Sequence, residues 1–234
     1  MTEQVQFGFF IDTTKCTGCK TCHVACKDDN SRLATGSILP DGSNEPTNLM
    51  PVEGKWRRVY EFGGGTMGTN GKGAFTGFSG VFSYYASIGC NHCSHPVCVQ
   101  ACPTGACHKR QKDGLVHIDQ NVCIGCQSCE RACPYDAPQF DNDRGVMTKC
   151  DGCYDHIDTD LSIPLASRRK PHCVESCPLR AIDFGTIDEL RALYGSNADI
   201  QGLPSSSITD PNLIIKVNPV SGKGTASHLN PFEV

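Results

Sequence analysis

The stretch "KCTGCKTCHVACKDD", residues 15–29, places four cysteines close together in the chain. They are spaced as Cys16-x2-Cys19-x2-Cys22-x3-Cys26. A disulfide framework has no use for cysteines at such short and regular intervals, and a structural zinc site commonly takes its thiolates from two separated pairs. The stretch instead favours a metal cluster with three ligands on one loop and a fourth thiolate displaced onto the following turn.

Such three-plus-one ligation is typical of bacterial two-cluster ferredoxins, in which the fourth cysteine binds the neighbouring iron–sulfur cluster. The chain repeats the pattern in four groups: Cys16, Cys19, Cys22 and Cys26; Cys90, Cys93, Cys98 and Cys102; Cys123, Cys126, Cys129 and Cys133; and Cys150, Cys153, Cys173 and Cys177. Three of the groups end in Cys-Pro. Zinc would accept four thiolates at each site, but it explains neither the displaced cysteine nor the proline. The sequence therefore predicts four 4Fe-4S clusters.

The composition agrees with a chain that is held together by bound metal. Its 234 residues allow one large domain or two small ones. A hydrophobic content of 38%, an aromatic content of 7%, 24 glycines and 14 prolines indicate a small core and many loops. Seventeen cysteines are far above ordinary usage, and ligation of metal can supply the stability that packing does not.

The net charge of the chain and its N-terminal sequence limit the partners and the cellular compartment that can be expected. The formal net charge is −4, and ligated clusters would make the chain more acidic, so nucleic acid is not an expected partner. The first residues, "MTEQVQFGFFIDTTK", have no basic segment and no long apolar run, so we expect no signal peptide. The most apolar region, "GVFSYYASIGC", is short and contains serines, so we expect no direct membrane span. These features predict a soluble chain made in the cytoplasm, which could leave only with another protein.

Sequence repeats around the cysteines predict the domain organisation. "FFIDTTKC" precedes the first group and "VHIDQNVC" the third, so each copy is expected to form a short strand, a cluster loop and a short helix. The predicted fold class is α+β, with two nested two-cluster ferredoxin units. The inner unit is residues 84–144, and the outer unit is residues 1–30 plus 145–195. Residues 31–83 are predicted to be polar insertions with a connecting strand, and residues 196–234 an extended C-terminal arm onto a partner.

Small residues around the cysteines fit cluster loops. Gly18, Gly125 and Gly152 each precede the second cysteine of a group, where the backbone needs unusual dihedral angles that glycine tolerates best. The second group has His92 at this position instead. A following proline biases the last cysteine of a group towards extended geometry.

The segments between the groups allow only coarse predictions. "WRRVYEF", residues 56–62, is predicted to be a strand. The stretches 31–55 and 63–80 lack clear periodicity and are predicted to be surface loops.

The C-terminal region contains one clear helix and a polar tail. "GTIDELRALYG" predicts a short helix with Thr186 as N-cap, Glu189 completing the capping box and Gly195 as terminator. The tail from Ser196 onwards is rich in proline, serine and glycine and contains one apolar run, "NLIIKV". It is either disordered or an arm across a partner, and the apolar run favours the arm.

The cross-over rule of two-cluster ferredoxins predicts the ligands of each cluster. The first set is Cys16, Cys19, Cys22 and Cys177; the second set is Cys26, Cys150, Cys153 and Cys173; the third set is Cys90, Cys93, Cys98 and Cys133; and the fourth set is Cys102, Cys123, Cys126 and Cys129. Because cysteines fill all sixteen positions, no site requires a histidine ligand. His92, His95 and His172 are expected to donate hydrogen bonds near the clusters or to face solvent.

The remaining residues near the cysteines have ordinary interpretations. Cys107 is left over and is expected to be a small core residue. Seven basic residues are each expected on the solvated surface, and together to offset thiolate charge and tune the reduction potentials: Lys15, Lys20, Lys109, Arg110, Arg131, Lys149 and Arg180. No catalytic constellation and no phosphate-binding loop is found, so we expect a non-catalytic electron-transfer subunit with no catalytic residues.

The motifs resemble those of a known family. The cysteine groups, together with "WRRVYEF", "MTKCDGCYDHI" and "CVESCPLRAIDFGTIDELR", resemble the iron–sulfur subunit of anaerobic dimethyl sulfoxide reductases, within the complex iron–sulfur molybdoenzyme family. The resemblance covers nearly the whole chain. Some relatives have tryptophan in place of the second cysteine of the third group and carry a three-iron centre. This chain has Cys126 there, which supports four irons.

The resemblance implies a place in a larger complex. It implies a large catalytic subunit that holds molybdenum bis(pyranopterin guanine dinucleotide) and reduces dimethyl sulfoxide, with the first set nearest to that subunit. It implies an electron donor near the fourth set, either a membrane-anchor subunit that oxidises menaquinol or a multihaem cytochrome. It also implies export of the folded chain with the catalytic subunit by the twin-arginine route, to the periplasm or the outer face of a bacterial membrane.

Three alternatives stay open. The chain could serve a related molybdoenzyme, such as a polysulfide, thiosulfate, nitrite or selenate reductase or a formate- or hydrogen-oxidising complex. A structural scaffold with four zinc ions would be colourless and would lack the visible absorption of iron–sulfur proteins. A stand-alone catalyst would turn over substrate with a chemical electron donor in the absence of any partner.

Overall fold

The computed structural model describes residues 5–30, 50–70 and 72–234. In these ranges the fold is α+β, as predicted, with small sheets and short helices. The strands are β1 (Phe7–Asp12), β2 (Arg58–Thr69), β3 (Phe75–Ile88), β4 (Cys107–Lys109), β5 (Val116–Ile118), β6 (Gln139–Asp141), β7 (Val146–Thr148), β8 (Ile182–Thr186), β9 (Leu213–Lys216) and β10 (Ser227–His228). The helices are α1 (Thr21–Asn30), α2 (Val97–Gln100), α3 (Ser128–Ala132), α4 (His172–Glu175) and α5 (Ile187–Tyr194). Most of the predicted loop over residues 31–55 lies outside the described residues.

Strand β1 is the centre of the first sheet. It pairs antiparallel with β8 and parallel with β9, and all six of its residues are buried. Its side chains alternate between two apolar layers, because successive residues of a strand point to opposite faces. Phe9 and Ile11 belong to the main core, whereas Phe10 packs with Leu190 and Ile214 on the other face. A Cβ at Gly8 would lie 2.4 Å from the carbonyl oxygen of Asn212, so glycine is what permits this close approach.

Helix α5 begins and ends where the sequence predicts. The Thr186 side chain accepts a hydrogen bond from the Glu189 backbone, and the Glu189 carboxylate accepts one from the Thr186 backbone. Gly195 ends the helix with a φ of 87°. The predicted capping box is confirmed.

Residues 63–80 form the main correction to the sequence-based prediction. The described part of this range, residues 63–70 and 72–80, does not form surface loops but the outer part of a long antiparallel hairpin made by β2 and β3. The predicted strand over residues 56–62 is confirmed from Arg58 onwards. Glycines hid the strand pattern because they carry no side chains to alternate. They are needed here: a Cβ at Gly63 would lie 2.6 Å from the Phe82 carbonyl oxygen, and one at Gly64 would lie 2.8 Å from that of Thr225.

The C-terminal tail packs on its own chain. Leu213, Ile214 and Ile215 are buried in β9 beside β1, and β10 adds to the edge of β2. The prediction that this apolar run lies across a partner is therefore wrong, since β1 already covers it. Sequence patterns did not indicate the pairing, because a parallel strand so distant in the chain leaves no local signal.

The two repeated segments fold alike. β1 leads through a cysteine loop into α1, and β5 leads through another into α3, as predicted. In the first case α1 packs against α4 and β1 pairs with β8; in the second, α3 packs against α2 and β5 pairs with β4. Among the described residues, no helix combines the length and the apolar character that crossing a membrane would need.

Candidate metal centres

The first set of cysteines meets at one cavity. Its lining includes all four members, namely Cys16, Cys19, Cys22 and Cys177. Cys19 is exposed, whereas Cys22 and Cys177 are buried. The backbone N–H of Ala181 donates to the Cys177 sulfur at 3.4 Å, and the Cys22 sulfur lies 3.2 Å from the Ser87 hydroxyl. The site therefore combines thiols from two distant parts of the chain and reaches the surface at Cys19.

The second set lies wholly in the interior. All of its members are buried: Cys26, Cys150, Cys153 and Cys173. Burial raises the pKa of the Cys150 thiol to about 12. Burial, with the charge of Cys173, also raises the pKa of Cys26 and that of Cys153. Without a metal the thiols of Cys26, Cys150 and Cys153 would stay protonated at neutral pH, so ligation is what would make them thiolates.

The third set also lines a single cavity. Its walls include Cys90, Cys93, Cys98 and Cys133. Burial raises the pKa of Cys93 to about 12 and that of Cys133 to about 11. Cys133 has φ −80° and ψ 117°, the extended geometry predicted for a cysteine before proline.

The fourth set lies nearest to solvent after the first. Its members are Cys102, Cys123, Cys126 and Cys129, of which only Cys129 is buried. Backbone N–H groups donate to two of the sulfurs, from Cys107 to Cys102 and from Met147 to Cys123, each at 3.3 Å. Hydrogen bonding with Ser128 lowers the pKa of Cys126.

Neighbouring thiols link the four sets in one spatial order. Three pairs from different sets lie close enough for the charge of one thiolate to add to the effect of burial on the pKa of the other: Cys22 with Cys173, Cys150 with Cys90, and Cys129 with Cys98. The sets therefore follow one another as first, second, third and fourth. The two ends of this row approach the surface, and the second set between them is wholly buried.

The loop backbones fit cuboid iron–sulfur clusters. Gly18, Gly125 and Gly152 have φ values of 72°, 67° and 78°, and His92 takes the equivalent position in the second group with a φ of 44°. The predicted left-handed conformation before the second cysteine is confirmed. In the first group the Gly18 backbone also hydrogen-bonds to the Cys16 sulfur, and hydrogen bonds to the sulfurs are one means by which proteins tune iron–sulfur clusters. The thiol donor sets and these N–H···S contacts together fit 4Fe-4S clusters.

Two buried cations lie among the thiols, and neither is expected there from the sequence. Lys149 is only 1% exposed, so the expectation that it lies on the solvated surface is wrong. Its ammonium group donates to the carbonyl oxygens of Val116 and Cys150. Arg57 is only 2% exposed, and the sequence patterns do not single it out. The one sequence signal for its buried position is that a charged residue stands beside the apolar residues of a predicted strand, and this signal is weak.

Burial alone would lower the pKa of both cations, but thiolate charge holds them above their usual values. For Lys149 the largest such contributions to the pKa come from Cys90 and Cys150. For Arg57 the largest contributions to the pKa come from Cys173 and Cys150. Thiolate charge at the centres and positive charge between them thus support each other.

The histidines and the seventeenth cysteine lie close to their predicted roles. His92 is buried, and its Nδ1 accepts a hydrogen bond from the Val116 backbone, so its Nε2 carries the proton and faces the Cys150 sulfur at 4.0 Å. His95 is exposed. Cys107 is a buried core residue, as predicted, and its thiol hydrogen-bonds to Cys98.

Comparison with known proteins agrees with these centres. Two family models, each described as a 4Fe-4S dicluster domain, match residues 81–187 and 15–106. The B subunit of anaerobic dimethyl sulfoxide reductase from Escherichia coli (strain K12) is 48% identical over 232 residues, which cover 98% of each protein. The B subunit of the same reductase from Haemophilus influenzae is 44% identical over 98% of this chain and 99% of its own. Selenate reductase subunit beta of Thauera selenatis is 30% identical over 89% of this chain and 80% of its own.

Proposed function

Because the chain is a member of the family of iron–sulfur subunits of dimethyl sulfoxide reductase-type molybdoenzymes, we propose that it carries electrons through four 4Fe-4S clusters to a molybdenum-containing catalytic subunit that reduces dimethyl sulfoxide. The observation that carries the proposal is the row of four cysteine sets, in which the second set is wholly buried and the first and fourth sets at the two ends approach the surface. Each cluster would supply one-electron oxidation and reduction. The protein itself is not expected to catalyse the reduction.

The proposed ligands are the four sets predicted from the cysteine spacing. Their support is the two cavities lined by the first and third sets. Nesting of an inner unit within an outer one is supported by the pairing of β1 with β8 and of β4 with β5. In this arrangement the protein supplies thiolates, N–H donors and fixed positive charge, and it excludes water from the second set.

The two ends of the row are proposed to face different partners. The first set, which reaches the surface at Cys19, would face the catalytic subunit with its molybdenum bis(pyranopterin guanine dinucleotide). The fourth set, which reaches the surface at Cys126, would face the electron donor, either a membrane-anchor subunit that oxidises quinol or a multihaem cytochrome.

A large partner is also supported by the surface of the hairpin. Four apolar side chains on its outer part are exposed, namely Met67, Phe75, Phe78 and Val81. Clustered exposed apolar residues are typical of protein interfaces.

We further propose export with the catalytic subunit by the twin-arginine route and a peripheral position outside the cytoplasmic membrane.

Anaerobic purification of the tagged chain from its own cells tests this function. We expect a large molybdenum-containing subunit to co-purify, and the complex to oxidise a reduced viologen dye when dimethyl sulfoxide is added. A complex that reduces selenate or polysulfide but not dimethyl sulfoxide would assign the chain to a related molybdoenzyme instead. A chain that purifies alone with zinc would contradict the proposal.

A further inference from the structure

Arg57 is fixed at the junction of the first two cysteine sets. It directly precedes β2 and is 2% exposed. Its carbonyl oxygen lies 2.6 Å from Nδ1 of His23, which stands on α1 between two cysteine ligands. Its guanidinium carbon lies 4.5 Å from the centre of the Phe9 ring, and its Nη1 donates to the Ser87 carbonyl oxygen at 3.1 Å. The side chain therefore has one defined position in the interior.

The hydrogen bonding of this guanidinium is incomplete. Its Nε and Nη2 atoms are buried and find no acceptor among the described residues. No carboxylate in the described part of the chain forms an ion pair with it. A buried cation with unpaired donors is costly, so it is expected only where a further negative group lies within reach.

The negative groups around Arg57 are the proposed ligands. The thiolates that act most strongly on it are Cys173, Cys150, Cys22 and Cys26, in that order. Three of them belong to the second set and one, Cys22, to the first. The orphaned donors and the thiolates together indicate that the guanidinium faces both of these centres.

The neighbouring buried arginine has a different set of hydrogen bonds, although its Nε, too, finds no acceptor among the described residues. Arg58 is 6% exposed, and its Nη2 donates to the carbonyl oxygens of Tyr135 and Asp136 at 2.6 and 2.9 Å. These residues follow Cys133, a member of the third set. The two adjacent arginines therefore contact different cysteine sets: Arg57 lies near the first and second sets, and Arg58 lies beside the segment that follows the third set. Arg58 thus offers a matched control.

On the basis of the proposed function, we propose that Arg57 raises the reduction potentials of the clusters held by the first and second sets. A fixed positive charge stabilises the reduced form of a buried centre more than the oxidised form, because reduction adds one negative charge. The charge cannot be lost by deprotonation, since an arginine keeps its proton in proteins. Arg57 would thereby favour electrons at the end of the row that includes Cys19.

Redox titration of the purified complex, followed by EPR spectroscopy, tests this role. The variants are Arg57→Met, which removes the charge at similar length, Arg57→Lys, which keeps it, and Arg58→Met. In Arg57→Met we expect two of the four potentials to fall, each by at least a tenfold change in the equilibrium constant for reduction, which is about 59 mV for one electron. In Arg57→Lys these two potentials should stay nearer to the wild-type values. Arg58→Met should leave the same two potentials unchanged.

Iron content distinguishes the possible outcomes. Loss of iron in Arg57→Met but not in Arg57→Lys would support the role of the charge. Unchanged potentials in an Arg57→Met variant that keeps its full iron content would overturn the proposed role of Arg57. Equal falls in potential, or equal losses of iron, in Arg57→Met and Arg57→Lys would overturn it as well. Either result would leave the proposed function of the chain standing. Wild-type protein without iron–sulfur signals would overturn the proposed function itself.

Discussion

The second and fourth cysteine sets share one sequence pattern but lie in opposite environments. All four thiols of the second set are buried, and burial raises the pKa of Cys150 to about 12. In the fourth set Cys126 lies near the surface, where Ser128 lowers its pKa. The comparison teaches that an interior set depends on metal and on fixed cations to keep its thiolates charged, whereas a surface set can use solvent and local hydrogen bonds.

The largest effect is expected from removing a buried ligand. Cys173→Ser should lower the iron content by more than about four atoms per chain, because the uncompensated charges at the second set disturb its neighbours. Cys126→Ser at the surface should remove about four atoms or fewer. Iron analysis and EPR spectroscopy of the anaerobic complex measure both. Cys107→Ala is the control and should keep full iron; equal losses in the two serine variants would contradict the comparison.

The rate of iron release should also depend on how deeply each cysteine set is buried. When the oxidised complex is treated with a chelator, iron should leave in at least two phases, with the fourth and first sets ahead of the second. The reason is solvent access, since Cys19 is exposed and all four thiols of the second set are buried. The measurement is absorbance of the iron–chelator complex against time, with EPR spectra of samples taken between the phases. A single phase would show that burial does not protect the second set.

A glycine pair tests the cluster loop of the fourth set. Gly125 and Gly145 both have a φ of 67°, so alanine at either costs about 1–2 kcal/mol of backbone strain. A Cβ at Gly125 would also lie 2.1 Å from the carbonyl oxygen of Gly145, whereas one at Gly145 meets nothing within 4 Å. Gly125→Ala should therefore weaken the fourth set and lower iron content, while Gly145→Ala should not. Similar iron content in the two variants would mean that the loop can shift.

The smallest effect is expected at α5, which carries no cysteine. Arg168 forms two hydrogen bonds with Glu189, at 2.9 and 2.8 Å, and these lower the pKa of Glu189. Glu189→Gln should cost about 1–2 kcal/mol of stability at pH 7 without changing iron content. Asp188→Asn is the control, since its side chain is 85% exposed and it should change little.

The pH dependence of this effect has a defined sign. Because the folded-state pKa of Glu189 is lowered, its contribution is complete above the unfolded value of about 4.3 and is lost as pH falls through the folded value. The difference in chemical unfolding midpoint between wild type and Glu189→Gln should therefore shrink below about pH 4. A difference that is constant with pH would mean that the charge of Glu189 has no part in it.

Local signals predicted the parts of the molecule that depend on local geometry. Gly18 and Gly125 take the expected left-handed conformation, and Thr186 caps α5 as its neighbours require. What the sequence did not reveal depends on contacts between distant segments. Gly63 and Gly64 are explained by close approaches of β3 and of the C-terminal tail, and the burial of Lys149 by a backbone acceptor on β5 and by thiols such as Cys90 from a distant part of the chain.

The metal content of the anaerobically purified complex tests the central claim most directly. Four clusters held by sixteen thiolates predict about sixteen iron atoms and as much labile sulfide per chain, with EPR signals of several interacting clusters on reduction. Far less iron, with zinc in its place and no such signals, would contradict the account.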